Sequence, residues 1–256
     1  MRGFYLRWRA SILALLPAAV LFGGLSRSQA LQLLPVTAQI QIVRERSVKQ
    51  AAEHSGAADL SNVVVWLTPL GSSTPEPTTS GPARVQPVLT QRNKTFDPHV
   101  LVVEVGAVVQ FPNKDPFFHN IFSLFDGKRF DLGLYESGTT RSVRFDRPGV
   151  SYLFCNIHAE MSAVVVVVET PYFAMSNRSG IVSIPDVPDG RYQLHVWYER
   201  SLPEDLKGLT LPVTISDSER NLGAIKVVEN PSFTLAHKNK YGQDYIPPAS
   251  PGYTGP

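Results

Sequence analysis

The stretch Tyr152-Leu153-Phe154-Cys155-Asn156-Ile157-His158-Ala159-Glu160-Met161-Ser162-Ala163-Val164-Val165-Val166-Val167-Val168-Glu169 decides how the chain is read. Its second half, Ala163 to Val168, is an unbroken apolar run between Ser162 and Glu169. Such a run is either a strand buried on both faces or a piece of buried helix. Five consecutive valines, whose branched Cβ suits extended backbone, favour the strand. The first half ends a shorter strand, residues 150–155, at a cysteine and then turns back through a tight loop.

Working outward, the same texture continues. Residues 140–146 form another short strand, and residues 100–111 (VLVVEVGAVVQF) are β-branched around Gly106, which marks a turn or bulge. Residues 36–44 (VTAQIQIVR) alternate, and residues 59–68 (DLSNVVVWLT) form a further strand. Beyond residue 170, SGIVSIPDVPDGRYQLHVWYE reads as two strands around an Asp189-Gly190 turn, followed by LTLPVTIS and GAIKVV. The 21 prolines and 18 glycines fall between these short runs, and outside the first thirty residues no amphipathic helix stands out. With 43% hydrophobic and 18% charged residues, global disorder is excluded. The expected class is all-β.

Residues 1–30 stand apart from this pattern. Arg2, Arg7 and Arg9 precede an apolar stretch over 10–25, and Ser28-Gln29-Ala30 offers small residues where a signal peptidase cuts. An uncleaved membrane anchor is the alternative, but the run is short for a span and Pro17 interrupts it. The expectation is export to the periplasm with no membrane span left after cleavage. This segment carries four arginines and no acidic residue, so the net charge is +2 for the whole chain and −2 beyond it. No concentrated basic face remains, and a nucleic-acid partner is not expected.

Cys155 is the chain's one cysteine, so an exported protein cannot use it for an internal disulfide. An inert buried thiol or an intermolecular disulfide would be the plain explanations, and its neighbours argue against both. His158 follows at +3 and Met161 at +6. Upstream, Phe117-Phe118-His119-Asn120 follows a turn-prone Asn113-Lys114-Asp115-Pro116. A thiolate, two imidazoles and a thioether together make the ligand set of a blue-copper electron-transfer site. One copper is therefore expected, held by His119, Cys155, His158 and Met161. Zinc is the next candidate, but structural zinc sites use no Met and usually more than one Cys. Histidines do not flank Cys155 and no His-x-His pair occurs, which argues against further coppers and for electron transfer over catalysis. His54, His99, His195 and His237 read as structural or exposed, with His99 the one considered for a second site. Phe117, Phe118 and Phe154 either shape an apolar docking face around His158 or belong to the core, and Phe154 on its strand fits the core better.

Residues 86–169 resemble the cupredoxins, and the C-x2-H-x2-M spacing is that of amicyanin. The resemblance implies a Greek-key β-sandwich and gives Asn120 a role around the metal, its hydrogen bonds tying the His119 segment to the ligand loop and tuning the thiolate. A third block, residues 170–228, resembles the prealbumin-like (carboxypeptidase-regulatory-like) sandwich through Asn177 to Gly180, Ile184-Pro185-Asp186-Val187-Pro188-Asp189-Gly190 and Tyr192-Gln193-Leu194-His195-Val196. Those domains start with two strands like residues 36–44 and 59–68, which implies a cupredoxin inserted into a second sandwich. The alternative is that residues 36–68 extend the cupredoxin itself. The expected organisation is thus a signal segment (1–30), first sandwich strands (31–70), a Pro/Ser/Thr-rich linker (71–85), the copper block (86–169), the rest of the sandwich (170–228) and an irregular tail (229–256). The block order also resembles exported methylamine-utilisation or plastocyanin-like proteins. That likeness implies a redox partner such as a c-type cytochrome or a periplasmic dehydrogenase. Copper storage, delivery or sensing is the competing function.

Overall fold

A computed structural model describes residues 34–44, 59–71, 86–124 and 127–245. Residues 1–33, 45–58, 72–85, 125–126 and 246–256 lie outside these residues, and with them the expected signal segment, nearly all of the expected linker and the end of the expected tail. Leu33–Pro256 forms one compact unit. Among the described residues no helix is long and apolar enough to cross a membrane.

The chain opens with β1 (Val36–Arg44) and β2 (Val64–Pro69). An inner block follows: β3 (Thr90–Arg92), β4 (Thr95–Asp97), β5 (Val100–Glu104), β6 (Val108–Pro112), β7 (His119–Ser123), β8 (Phe130–Tyr135), β9 (Thr140–Arg144), β10 (Gly149–Phe154) and β11 (Ser162–Val168). The chain then returns through β12 (Phe173–Met175), β13 (Ile181–Ile184), β14 (Gly190–Trp197), the short helix α1 (Pro203–Lys207), β15 (Leu211–Ile215) and β16 (Asn221–Glu229). Among the described residues the fold is all-β apart from that short helix.

Pairing sorts the strands into two stacks. β1 lies between β13 and β16, and β2 lies between β12 and β14, with β15 outside β14. The two N-terminal strands therefore bond to chain that follows the inner block. Alternation explains how these two sheets face one another: Val36, Ala38 and Ile40 of β1 and Val65 and Leu67 of β2 enter one core with Leu194, Val196 and Val227. The inner block has a five-stranded sheet, β5-β11-β10-β7-β8, covered by the β3–β4 and β6–β9 pairs. Its core holds Leu89, Val109, Phe111, Ile121, Phe145 and Leu153 among others.

The valine run of β11 joins the two stacks. Ala163, Val165 and Val167 face the inner core. Val164, Val166 and Val168 face the other way, against Val64 and Trp197 with Trp66 packed alongside. Both faces are thus buried, one in each interface, and no position of the strand could be polar without cost. Trp66 also stacks on its cross-strand neighbour His195, with ring centroids 4.9 Å apart. His99, just before β5, accepts a role across the same boundary: its Nε2 lies 2.7 Å from Glu199 Oε2, beyond β14.

The Asp189-Gly190 turn differs from the sequence reading. β13 pairs with β1 in one sheet and β14 with β2 in the other, so the segment between them crosses the sandwich instead of closing a hairpin. Arg220, 9% exposed, accounts for this. Its guanidinium donates to Leu34 O (3.0 Å), Val187 O (2.8 Å) and Asp189 Oδ1 (2.7 Å), holding the crossing segment at the sheet edge.

Candidate metal centre

β10 and β11 are an antiparallel pair whose last rung is Phe154 with Ser162. The connection between them is closed by two backbone bonds: Cys155 N–H donates to Met161 O (3.1 Å) and Met161 N–H donates to His158 O (3.2 Å). Cys155 and Met161 are both fully buried at the end of the inner core, while His158 is half-buried and Ile157 is exposed. The loop thus presents one side to the core and one to solvent.

His119 arrives from another direction. It opens β7, every residue of which is buried, and pairs with Tyr135 of β8. Asp115, four residues earlier, sets its ring. The Asp115 carboxylate accepts from His119 Nε2 (2.8 Å) and from the backbone N–H groups of Asn93 (2.6 Å) and Lys94 (2.9 Å). Asn93 and Lys94 form the two-residue turn between β3 and β4 and both have φ of 54°, the left-handed geometry of a tight hairpin turn. Burial pushes the Asp115 carboxyl up, but the amides of Lys94 and Asn93 and the His119 ring outweigh it, and the net direction is down. With Nε2–H donated to the carboxylate, His119 turns its Nδ1 lone pair inward.

Both histidines aim Nδ1 at one sulfur. Cys155 Sγ lies 3.8 Å from His119 Nδ1 and 3.5 Å from His158 Nδ1, and the three ligand atoms all fall within 4.8 Å of one another. Burial pushes the Cys155 thiol up, while the backbone N–H groups of Asn120, Ile157 and His158 act on the sulfur in the opposite sense. Burial, and then the neighbouring His119, push His158 below the ordinary imidazole range. An ion about 2.0–2.3 Å from nitrogen and sulfur places those atoms roughly 3.5–3.8 Å apart at tetrahedral to trigonal angles. The two sulfur–nitrogen distances therefore suit a soft transition-metal ion held between Cys155 and each histidine. The structure brings His119, Cys155 and His158 together by their ligand atoms, and places Met161 in the same core wall.

Asn120 makes its contacts in two directions. Its side chain donates to Asp131 Oδ1 on β8 (2.7 Å), away from the ligand loop, and its Oδ1 is buried without a hydrogen-bond partner. What faces the thiol is its backbone N–H. A strand-edge amide can reach the sulfur directly, which leaves the side chain to bridge β7 and β8.

The aromatic residues divide. Phe117 sits beside both rings, 5.2 Å from His119 and 5.7 Å from His158 between centroids. Phe117 is exposed, as are its neighbour Phe118 and Ile157, the residue before His158. Phe154 instead packs on Phe122 and stacks on His237 of the tail. His99 is an ion-pair partner, and among the described residues it joins no metal-ligating group. Sequence reasoning missed Asp115, whose one signal was its place four residues before His119.

No protein-family model matches the chain, and no curated protein does. Solved structures similar to part of it include a purple cupredoxin from Nitrosopumilus maritimus, at 23% identity and TM-score 0.30 over 32% of this chain and 99% of that one. The reduced form of an amicyanin mutant is similar at 21% identity and TM-score 0.31, over 34% of this chain and 85% of the other. A copper-containing nitrite reductase from Thermus scotoductus SA-01 is similar at 18% identity and TM-score 0.33, over 50% of this chain and 28% of the reductase.

Proposed function

We propose that this chain is a type 1 copper protein that carries single electrons in the periplasm. The observation that carries the reading is the convergence of two imidazole Nδ1 atoms on one fully buried thiol, with Met161 closing the same loop. When bound, copper supplies a one-electron couple between its two common oxidation states. The chain's own residues do the rest. Cys155 provides the strong thiolate donor, and three backbone N–H groups take part of its negative charge. Asp115 and the β3–β4 turn hold His119 in one tautomer and one orientation. Met161 occupies the wall of the inner core and excludes water from that side.

Soft and borderline donors in a fixed frame suit both oxidation states, so little has to move when the charge changes. That is the property a carrier needs. We read the protein as a carrier and not an enzyme because four donors leave no position for a substrate. His158 is the one donor that reaches toward solvent, and the exposed apolar side chains of Phe117, Phe118 and Ile157 suit brief docking of a redox partner. A c-type cytochrome or a periplasmic dehydrogenase is the partner class we propose. The outer sandwich, read as a prealbumin-like module, would serve docking or attachment.

The visible absorption spectrum of oxidised, copper-loaded protein tests this reading. An intense thiolate-to-copper band is expected in the wild type and absent in Cys155→Ala. A wild-type protein that binds copper without such a band would sink the type 1 assignment, and slow exchange of electrons with readily released copper would favour storage or delivery.

A further inference from the structure

The chain beyond β16 has no strand or helix up to Tyr245, yet it lies across the metal-ligand loop through specific contacts. It leaves the outer sandwich at Asn230, whose N–H donates to Arg200 O (2.7 Å). The His237 ring then stacks on Phe154, the residue before Cys155, at 4.2 Å between centroids. Lys240 N–H donates to Asn156 Oδ1, the residue after Cys155 (2.9 Å). Lys240 Nζ reaches Asp131 Oδ2 (2.7 Å), whose other oxygen accepts from Asn120. Tyr245 Oη donates to the carbonyl of Cys155 itself (2.6 Å), and its ring meets His237 edge-on at 5.3 Å. Between these anchors, Asn239 Oδ1 accepts from the N–H groups of Tyr241 (2.9 Å) and Gln243 (3.0 Å), so the segment is tied to itself as well.

Three consecutive residues of the ligand strand and loop, 154 to 156, are thus each held by a different tail residue. We propose that His237, Lys240 and Tyr245 are positioning residues of the metal centre, which clamp the Cys155 carbonyl and the side chains on either side of it and control how fast reagents and metal ions reach its sulfur. This rests on the copper reading for the metal, but the control of the thiol stands without it. A loop that must open to admit a reagent does so in proportion to the contacts it breaks, and each net hydrogen bond is worth a factor of about five in that equilibrium.

The test is the alkylation rate of Cys155, the chain's one cysteine, by iodoacetamide in the metal-free protein. Tyr245→Phe keeps the ring and loses the bond to Cys155 O, and should speed alkylation about fivefold. The full-length double variant His237→Ala/Tyr245→Phe, which also loses the stack on Phe154, and a chain ending at Phe233 should each exceed that, toward a hundredfold for the truncation. Copper release to a competing chelator should accelerate in the same order. Thermal midpoints measured beside the rates separate local opening from global unfolding, and if the truncated chain does not fold, the double variant decides. Alkylation at the wild-type rate in the double variant would overturn the proposal. A protein that fails to bind copper but shows the expected alkylation series would refute the copper reading and leave the clamp standing.

Discussion

The two stacks of strands differ most in what they bury. The outer sandwich has an almost wholly apolar core, and among the described residues its one buried charged side chain, Arg220, is spent on fastening a sheet-crossing segment. The inner block buries Gln91, Asn113, Asp115, His119, Asn120, Ser123 and Ser151, most of them at the end that holds Cys155. Buried polar groups cost stability unless each finds a partner, so a fold accumulates them where geometry matters more than burial. The comparison teaches a division of labour: the outer stack is organised by apolar packing, and the inner one gives up some of that to fix the direction of a few ring nitrogens and amides.

Truncation of the outer core should bring the largest effect on stability and the least on the site. Leu67 is fully buried there, and Leu67→Ala should cost about 3 kcal/mol by loss of transfer energy plus the cavity left behind. Urea titration reads the cost, and the visible band of copper-loaded protein should be unchanged below the transition. A band lost in native buffer would show that the two stacks are not separable in this way. Arg220→Met should cost less, about 2 kcal/mol, because it strands the carbonyls of Leu34 and Val187 while Asp189 is solvated. Asp115→Asn reverses the pattern. It removes the charge that His119 Nε2–H and two turn amides share, and should weaken copper binding roughly 10–100-fold with a smaller loss of stability. Competition against a chelator measures the first, and urea titration the second. An affinity within about twofold of wild type would mean that packing alone sets the His119 ring.

How far the sequence carried depended on the range of the interactions. The C-x2-H-x2-M spacing placed Cys155, His158 and Met161 on one short loop, because nearby residues on a turn must be near in space. The valine run announced a strand buried on both faces, since nothing polar interrupts it, but it held no sign of which neighbour covers which face; Val164 and Val165 look alike in sequence and enter different cores. The Asp189-Gly190 pair carried a turn signal without saying whether the strands it joins lie in one sheet, which Arg220 settles from thirty residues away. The tail was illegible for a different reason. Its contacts come from single side chains at irregular intervals, with no period to detect. Asp115 was hidden inside a turn motif whose residues usually need no further explanation.

The boundary between the stacks offers the smallest and most discriminating effect. His99 and Glu199 pair across it at 2.7 Å, and His99 Nδ1 lies 3.1 Å from Ser162 O. The Glu199 hydrogen bond raises the His99 pKa, burial opposes it, and Arg200 also works against it, with the net direction upward from the ordinary value of about 6.5. A group whose folded pKa is raised binds its proton more tightly in the native state. Its stabilisation is therefore complete below pH ~6.5 and lost as the pH rises through the folded value. His99 keeps 32% of its side chain exposed, so solvent screening should hold the effect to less than about 1 kcal/mol. Urea titrations at pH 5.5 and pH 8.5 should show the native protein favoured at the lower pH by this pair, with the difference shrinking in Glu199→Gln. Because the pair spans the boundary between the stacks, an undiminished difference in that variant would place the pH dependence elsewhere and leave the valine face of β11 as the main bond between them.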